Sequence, residues 1–288
     1  MPFLYNIDVG EYKEKKLLLG NSELKSLLYH NVFDYPLTAS ELVKWAAGSK
    51  VEVVIKDECV VEQKNGLCFL EGKEGVVYKR LLKKRVSARK IQIAKKAADM
   101  LSIVPTIKMV AITGSLAMEN AADDSDIDLL IVTTNGALWT TRIIAYVFLK
   151  LFGTKIRKPK DKNQKDKLCM NIWLDEKALS WPLRDRNSYT AHEIAQIKTL
   201  ISKNKTYEKF IYENRWIGEF WPNAVKRTKE PKNQRTKEPK KFFFLEKLAF
   251  KLQYLYMKKK ITREVVGNHR AIFHPHDCGE VVLRQLTS

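Results

Sequence analysis

Two apolar segments joined through a Gly-Ser pair constrain this chain more than any other feature of its sequence. The first segment, residues 108–113, is partly β-branched and ends directly at Gly114-Ser115. The second, residues 126–133, opens with two aspartates and continues as an apolar run. Both segments have the composition and length of buried strands. Between them, residues 116–121 predict a helix, so the pattern is strand, bend, helix, strand.

The second strand predicts a pair of neighbouring carboxylates. Side chains alternate along a strand, so Asp126 and Asp128 share one face, while Ile127, Leu129 and Ile131 point into the core. Two acids at the mouth of a buried strand are costly unless a cation satisfies them. Mg²⁺ prefers carboxylate and phosphate oxygens. The spacing therefore favours a metal site over the alternative, a surface turn that happens to contain two aspartates.

The bend between the two strands suits a phosphate. Gly114 lets the backbone approach an anion without a side chain in the way, and Ser115 adds a hydroxyl group. The helix that follows offers backbone amides at its N-terminus. A phosphate bound at this bend would lie next to the two aspartates. Displacement at the α-phosphorus of a nucleotide builds charge on several oxygens, and a pair of Mg²⁺ ions can stabilise both the entering and the leaving group.

In this order of elements the chain resembles the DNA polymerase β-like nucleotidyltransferase superfamily, in particular compact prokaryotic members with an N-terminal winged helix. The resemblance implies an α+β fold: a nucleotidyltransferase-like mixed sheet with flanking helices, preceded by a small winged-helix domain and followed by a helical region. It implies Mg²⁺-dependent transfer of a nucleoside monophosphate from a nucleoside triphosphate, with release of pyrophosphate. By the same resemblance Asp126 and Asp128 hold Mg²⁺, with a two-metal site expected, and Gly114 and Ser115 bind the nucleotide.

The family's third carboxylate comes from a later strand, for which residues 167–175 are the candidate. Alternation places Cys169, Asn171, Trp173 and Asp175 on one face. Asn171 is closest to the expected position, but an amide is a poor base. Asp175 at the strand end is the other candidate for completing the catalytic group. If neither serves, the domain binds a nucleotide without turning it over.

The N-terminal part has the order helix, turn, helix, hairpin. Thr38 and Glu41 form a capping box at the start of the second helix, and a turn at Asn65-Gly66 predicts a hairpin. This order is typical of a winged helix, although little room remains after Gly48 for the third helix that usually enters a DNA groove. DNA binding and docking both stay open. The alternative function is therefore a winged-helix nucleic-acid-binding regulator with an inactive or nucleotide-sensing nucleotidyltransferase-like domain.

The expected organisation has six parts. They are a winged-helix-like domain at 1–78, a connecting helix at 79–104, the nucleotidyltransferase core at 105–180, a helical extension at 181–225, a disordered basic linker at 226–241, in which Arg-Thr-Lys-Glu-Pro-Lys occurs twice, and a C-terminal helical segment at 242–288.

Composition indicates polyanionic partners and a cytoplasmic location. The formal net charge is +19, which favours nucleotides or nucleic acid, although a generally basic proteome has the same effect. The four cysteines are scattered, so we expect reduced thiols rather than a zinc site or disulfides. No apolar stretch is long enough to span a bilayer. The acceptor stays open among a small molecule, an RNA or other nucleic-acid end and a protein side chain.

Overall fold

The computed structural model describes residues 15–55, 59–158, 161, 163–226, 228–231, 243–259, 261–262, 264–273 and 278–288. Among these residues, no helix combines the length and apolarity that crossing a bilayer requires.

The N-terminal part combines two helices with a small sheet. Its elements are β1 (Lys15–Leu17), α1 (Asn21–Asn31), β2 (Leu37–Thr38), α2 (Ala39–Lys44), β3 (Val61–Lys64) and β4 (Leu67–Leu70), with the strands in the order β1-β3-β4-β2. The predicted capping box at Thr38 and Glu41 is present. Asn65 and Gly66 have φ values of 53° and 74°, as the predicted turn requires. The local predictions for this part are therefore confirmed.

The winged-helix interpretation of residues 1–78 stays a prediction. Residues 45–55 and 59–60, which lie between α2 and β3, form no helix. The described part of this segment therefore lacks the element that usually reads DNA.

A larger mixed sheet carries the rest of the chain. Its elements are α3 (Gly75–Ser102), β5 (Ile107–Ile112), α4 (Gly114–Ala117), β6 (Ile127–Thr133), α5 (Leu138–Leu151), β7 (Leu168–Asp175), α6 (Ser188–Ala195), β8 (Lys198–Ser202), α7 (Thr206–Glu213), α8 (Phe243–Met257), β9 (Val265–Val266), β10 (Arg270–Ile272) and α9 (Cys278–Thr287). The strand order is β8-β5-β6-β7-β10-β9, with β6 and β7 parallel. This is the α+β architecture with a mixed sheet that the sequence predicts.

The sheet separates two hydrophobic cores. Along β6, Ile127, Leu129 and Ile131 enter the core beneath α3, α5 and α8, while Leu130 and Val132 enter the core beneath α6 and α7. The alternation expected from the sequence is therefore correct for this strand. Asp128 lies on the α6 side of the sheet, because it is two residues before Leu130.

The structure differs from the sequence prediction in three regions: residues 116–121, 181–225 and 242–288. The helix expected over residues 116–121 is wrong in its bounds: α4 ends at Ala117, and Glu119 takes a left-handed φ of 57° that turns the chain away. The expected helical regions at 181–225 and 242–288 each contribute strands, β8 from the first and β9 and β10 from the second, so the sheet extends past residue 180. The predicted disordered linker, 226–241, falls largely outside the described residues.

Two buried histidines join the N-terminal part to the core. His30 on α1 and His192 on α6 lie with their Nε2 atoms 3.0 Å apart, and Nδ1 of His30 is 2.8 Å from the carbonyl oxygen of Ser26. Trp45 stacks on His192 with ring centroids 4.1 Å apart. Because His30 donates from Nδ1, its Nε2 accepts from His192, so this arrangement needs the His30 ring in its neutral form.

Acidification is therefore expected to weaken the fold through this pair. Burial lowers the pKa of His30 from 6.5 to about 4, and burial followed by the charge of His30 lowers that of His192. Unfolded histidines bind protons below about pH 6.5, so stability present above that pH is lost as the pH falls towards 4. At pH 5 the loss from His30 alone is about 2 kcal/mol.

A comparison of variants isolates this effect. The free energy of unfolding of the wild type, relative to a His30→Phe/His192→Phe double variant, should fall between pH 7.5 and pH 5 in urea titrations. Other titrating groups cancel in this difference. A difference independent of pH would show that the pair is not buried in its neutral form.

Candidate active site

The two aspartates converge beside a cysteine. Asp126 lies directly before β6 and Asp128 is its second residue, whereas Cys169 is the second residue of the parallel neighbour β7. One ligand atom from each of these three residues lies within 4.8 Å of the other two. The structure therefore brings together the two carboxylates that the sequence pairs, and adds a thiol.

The Gly-Ser bend lies directly against Asp128. Gly114 has a φ of 61°, and a Cβ atom there would be 3.2 Å from Oδ2 of Asp128. The amide of Thr113, one residue earlier, donates to the carbonyl oxygen of Asp128 at 3.1 Å. Only a residue without a side chain fits this approach in this backbone conformation without strain. Ser115 follows as the second residue of α4.

A bulge in β7 places Asn171 beside Asp128. Asp128 pairs with Cys169, but Leu130 pairs with Ile172, so β7 has one extra residue here. Nδ2 of Asn171 donates to Oδ1 of Asp128 at 2.6 Å. Its own Oδ1 is buried and has no hydrogen-bond partner among the described residues. Asn171 therefore orients Asp128, and the amide oxygen of Asn171 is left without a hydrogen-bond donor among the described residues.

The same bulge removes Asp175 from the site. Because alternation shifts by one residue, Trp173 packs in the core on the opposite side of the sheet from Asn171, so the prediction that they share a face is wrong. Asp175 pairs with Thr133, six residues beyond Cys169, which is about 20 Å along the strand. Its carboxylate accepts hydrogen bonds from the amide of Gly136 at 3.1 Å and from Nδ1 of His269 at 2.6 Å. These contacts give Asp175 a structural role.

The charges of the site are unevenly balanced. Burial, and then the neighbouring Asp126, raise the pKa of Asp128 to about 7. Nη1 of Arg157, from the basic loop before β7, donates to Oδ2 of Asp126 at 2.7 Å. Burial raises the pKa of the Cys169 thiol, so it stays protonated. Among the described residues Asp128 has no salt bridge of its own, and the charge of Arg157 only partly offsets the effects of burial and Asp126 on its pKa.

This donor set fits a hard divalent cation. Two carboxylates offer the oxygen ligands that Mg²⁺ takes, whereas a protonated thiol is a poor ligand for any metal. A cation between Asp126 and Asp128 would offset the repulsion that raises the pKa of Asp128. The described residues thus fit one ion well.

A buried lysine fixes the loop that leads into Asp126. The Lys90 side chain on α3 is fully buried, and its Nζ donates to the carbonyl oxygens of Asp123 and Ser125 at 3.1 and 2.6 Å. It also lies 3.0 Å from Oδ1 of Asp166. Burial alone would raise the pKa of Asp166, but hydrogen bonds from Lys90 and Arg89 lower it. Lys90 therefore ties two loops together immediately before the first aspartate.

Glu193 is a site residue for which the sequence leaves two interpretations, helix packing or capping and a helix that borders the cleft. Its carboxyl group accepts a hydrogen bond from Nε2 of Gln196 at 2.6 Å, and the same Nε2 donates to the carbonyl oxygen of Gly114 at 3.3 Å. Burial, and then the charge of Asp128, raise its pKa to about 7. The structure agrees with the second interpretation, because α6 brings Glu193 next to the Gly-Ser bend. The Gln196 side chain thus links Glu193 to the Gly-Ser bend.

The comparison with protein families agrees with this geometry. The family model of the nucleotidyltransferase domain matches residues 92–250. That stretch runs from the middle of α3 into α8 and includes the bend, both aspartates and Glu193. No curated protein shows a significant match to the chain.

Proposed function

The chain belongs to the nucleotidyltransferase domain family, and we propose that it transfers a nucleoside monophosphate from a Mg²⁺-bound nucleoside triphosphate to an acceptor hydroxyl group, releasing pyrophosphate. The observation that carries this proposal is the convergence of Asp126 and Asp128 on one point beside Gly114. The Arg157 guanidinium pairs with Asp126, whereas Asp128 has the hydrogen bond from Asn171 and no salt bridge among the described residues.

Each residue of the site has a defined part in this reaction. Asp126 and Asp128 would hold the cation, and Asn171 keeps the Asp128 carboxylate in position through its 2.6 Å hydrogen bond. Divalent cations of this kind neutralise charge that develops on phosphate oxygens. Gly114 and Ser115 border the triphosphate, because a side chain at Gly114 would close the space next to Asp128.

The bond changes are those of an in-line displacement. The acceptor oxygen forms a bond to the α-phosphorus, and the bond from that phosphorus to the oxygen bridging to the β-phosphate breaks. Pyrophosphate leaves with that oxygen and its electron pair. The proton of the acceptor hydroxyl passes to a nearby base.

Label transfer tests the proposal. Each nucleoside triphosphate, labelled at either the α- or the γ-phosphate, is incubated with the protein, Mg²⁺ and a cell extract. We expect the α-label to join an extract component and the γ-label to appear in pyrophosphate. Labelled inorganic phosphate without α-label transfer would identify a phosphohydrolase and contradict the proposal.

Gly114→Ala is expected to lower the transfer rate at least tenfold. The new Cβ would lie 3.2 Å from Oδ2 of Asp128 and displace it. Gly153→Ala is the matched control, since Gly153 also has a positive φ, 70°, but nothing within 4 Å of a Cβ. Both variants should lose about 1 kcal/mol of unfolding free energy to backbone strain. Equal transfer rates in the two variants would show that the bend need not approach Asp128.

A further inference from the structure

A cavity opens where the site ends, on the α6 side of the sheet. Its volume is about 270 Å³, and Thr113, Leu130 and Ile172 line it. Each of these residues is a near neighbour of the site in sequence: Thr113 precedes Gly114, Ile172 follows Asn171, and Leu130 is two residues after Asp128. Two residues along a strand span about 7 Å. The cavity is therefore adjacent to the aspartates rather than a separate feature.

The cavity walls are largely apolar. Trp181 and Phe210 contribute aromatic rings. No lysine or arginine is among the described residues that line it, although the whole chain carries a net charge of +19. A protein that binds nucleic acid needs basic side chains to neutralise the phosphates of its backbone. An apolar enclosure with few polar groups is instead typical of a small-molecule site.

Glu193 connects the cavity to the site. Glu193 lines the cavity, and its hydrogen-bond donor Gln196 also donates to the carbonyl oxygen of Gly114 at 3.3 Å. A group that accepts a proton from a substrate must lie within hydrogen-bonding reach of it. A hydroxyl group entering from the cavity would meet Glu193 on one side and the bend on the other.

We propose that this cavity binds the acceptor, a neutral small molecule with an apolar body and a hydroxyl group, and that Glu193 accepts the hydrogen bond from that hydroxyl. The inference rests on the proposed function. The hydroxyl oxygen forms the bond to the α-phosphorus, its proton passes to the Glu193 carboxylate, and pyrophosphate leaves as described above.

Two binding measurements separate this inference from the proposed function. A fluorescent nucleotide analogue with Mg²⁺ reports on the nucleotide site, and 4-fluorophenethyl alcohol, followed by ¹⁹F NMR, reports on the cavity. Thr190→Trp places a large ring in the cavity lining. Val147→Trp is the control, because Val147 is 52% exposed on α5, on the other side of the sheet.

We expect Thr190→Trp to weaken binding of the fluorinated alcohol at least tenfold, with nucleotide affinity within threefold of the wild type and of Val147→Trp. If Thr190→Trp does not fold, Ile194→Phe replaces it. Loss of nucleotide affinity would assign the cavity to the nucleobase and overturn the inference, as would failure of the wild type to bind the alcohol. Failure of the wild type to bind the nucleotide would contradict the proposed function instead.

Glu193→Gln tests the polar contact. This variant keeps a side-chain oxygen that can accept from Gln196 but removes the carboxylate that would accept the proton. We expect kcat for α-label transfer to the small-molecule fraction of an extract to fall at least tenfold, with an unchanged KM for the nucleotide. An unchanged kcat, or a rise confined to KM, would remove Glu193 from this role.

Discussion

Asp128→Asn is expected to lower the rate of nucleotidyl transfer on the order of 10³-fold, about 4 kcal/mol in the barrier. The amide is nearly isosteric with the carboxylate and still accepts the hydrogen bond from Asn171, but it cannot supply negative charge to a divalent cation. The loss should appear in kcat for α-label transfer.

Although its transfer rate falls, Asp128→Asn should not lose unfolding free energy. The pKa of Asp128 is raised from 3.8 to about 7 by burial and by Asp126, so Asp128 costs folding free energy that grows as the pH rises above 3.8 and is complete above about pH 7. Asp128→Asn removes this cost and should be at least as stable as the wild type at pH 8.5 in the absence of metal. Asp124→Asn, at an exposed position in the same loop, is the control and should leave transfer unchanged. Wild-type activity in Asp128→Asn would remove the aspartate from the mechanism.

Lys90→Met is expected to lower the free energy of unfolding by about 3 kcal/mol. Methionine fills similar space, but it leaves Oδ1 of Asp166 and the carbonyl oxygens of Asp123 and Ser125 without their shared donor. Removing one partner of a buried ionic group costs more than the net value of the interaction, because the other partners stay desolvated. Urea unfolding at neutral pH measures the change.

The matched control for Lys90 lies on the same helix. Lys95 is exposed, so Lys95→Met should change the free energy of unfolding by about 0.5 kcal/mol or less. At temperatures where it is still folded, Lys90→Met should also have a lower transfer rate than the wild type, because the loop before Asp126 loses its hydrogen bonds to Lys90. Equal stability of the two variants would show that Lys90 does not hold these loops.

Local chemistry explains which features the sequence predicts. The alternation that puts Asp126 and Asp128 on one face depends only on strand geometry, and the hairpin at Asn65-Gly66 depends only on the positive φ values those residues tolerate. Gly114 is recognisable because it ends an apolar strand. In each case neighbouring residues determine the conformation.

Features that depend on distant contacts do not appear in the sequence. The bulge at Met170 and Asn171 has no glycine to mark it, yet it turns Trp173 and Asp175 to the opposite face. Helix α4 ends early because Glu119 takes a left-handed conformation, although the apolar sequence favours continuation. Glu193 reaches the bend only because α6 packs over β5 and β6.

The most direct test of the account counts divalent ions at the aspartate pair. Mn²⁺ serves as the probe, and its free EPR signal is followed during titration with a non-hydrolysable nucleoside triphosphate analogue present. The wild type should bind Mn²⁺ together with the nucleotide, and the Asp126→Asn/Asp128→Asn double variant should lose this binding while remaining folded. A folded double variant that binds Mn²⁺ as tightly as the wild type would contradict the central claim that these two carboxylates hold the metal–nucleotide complex.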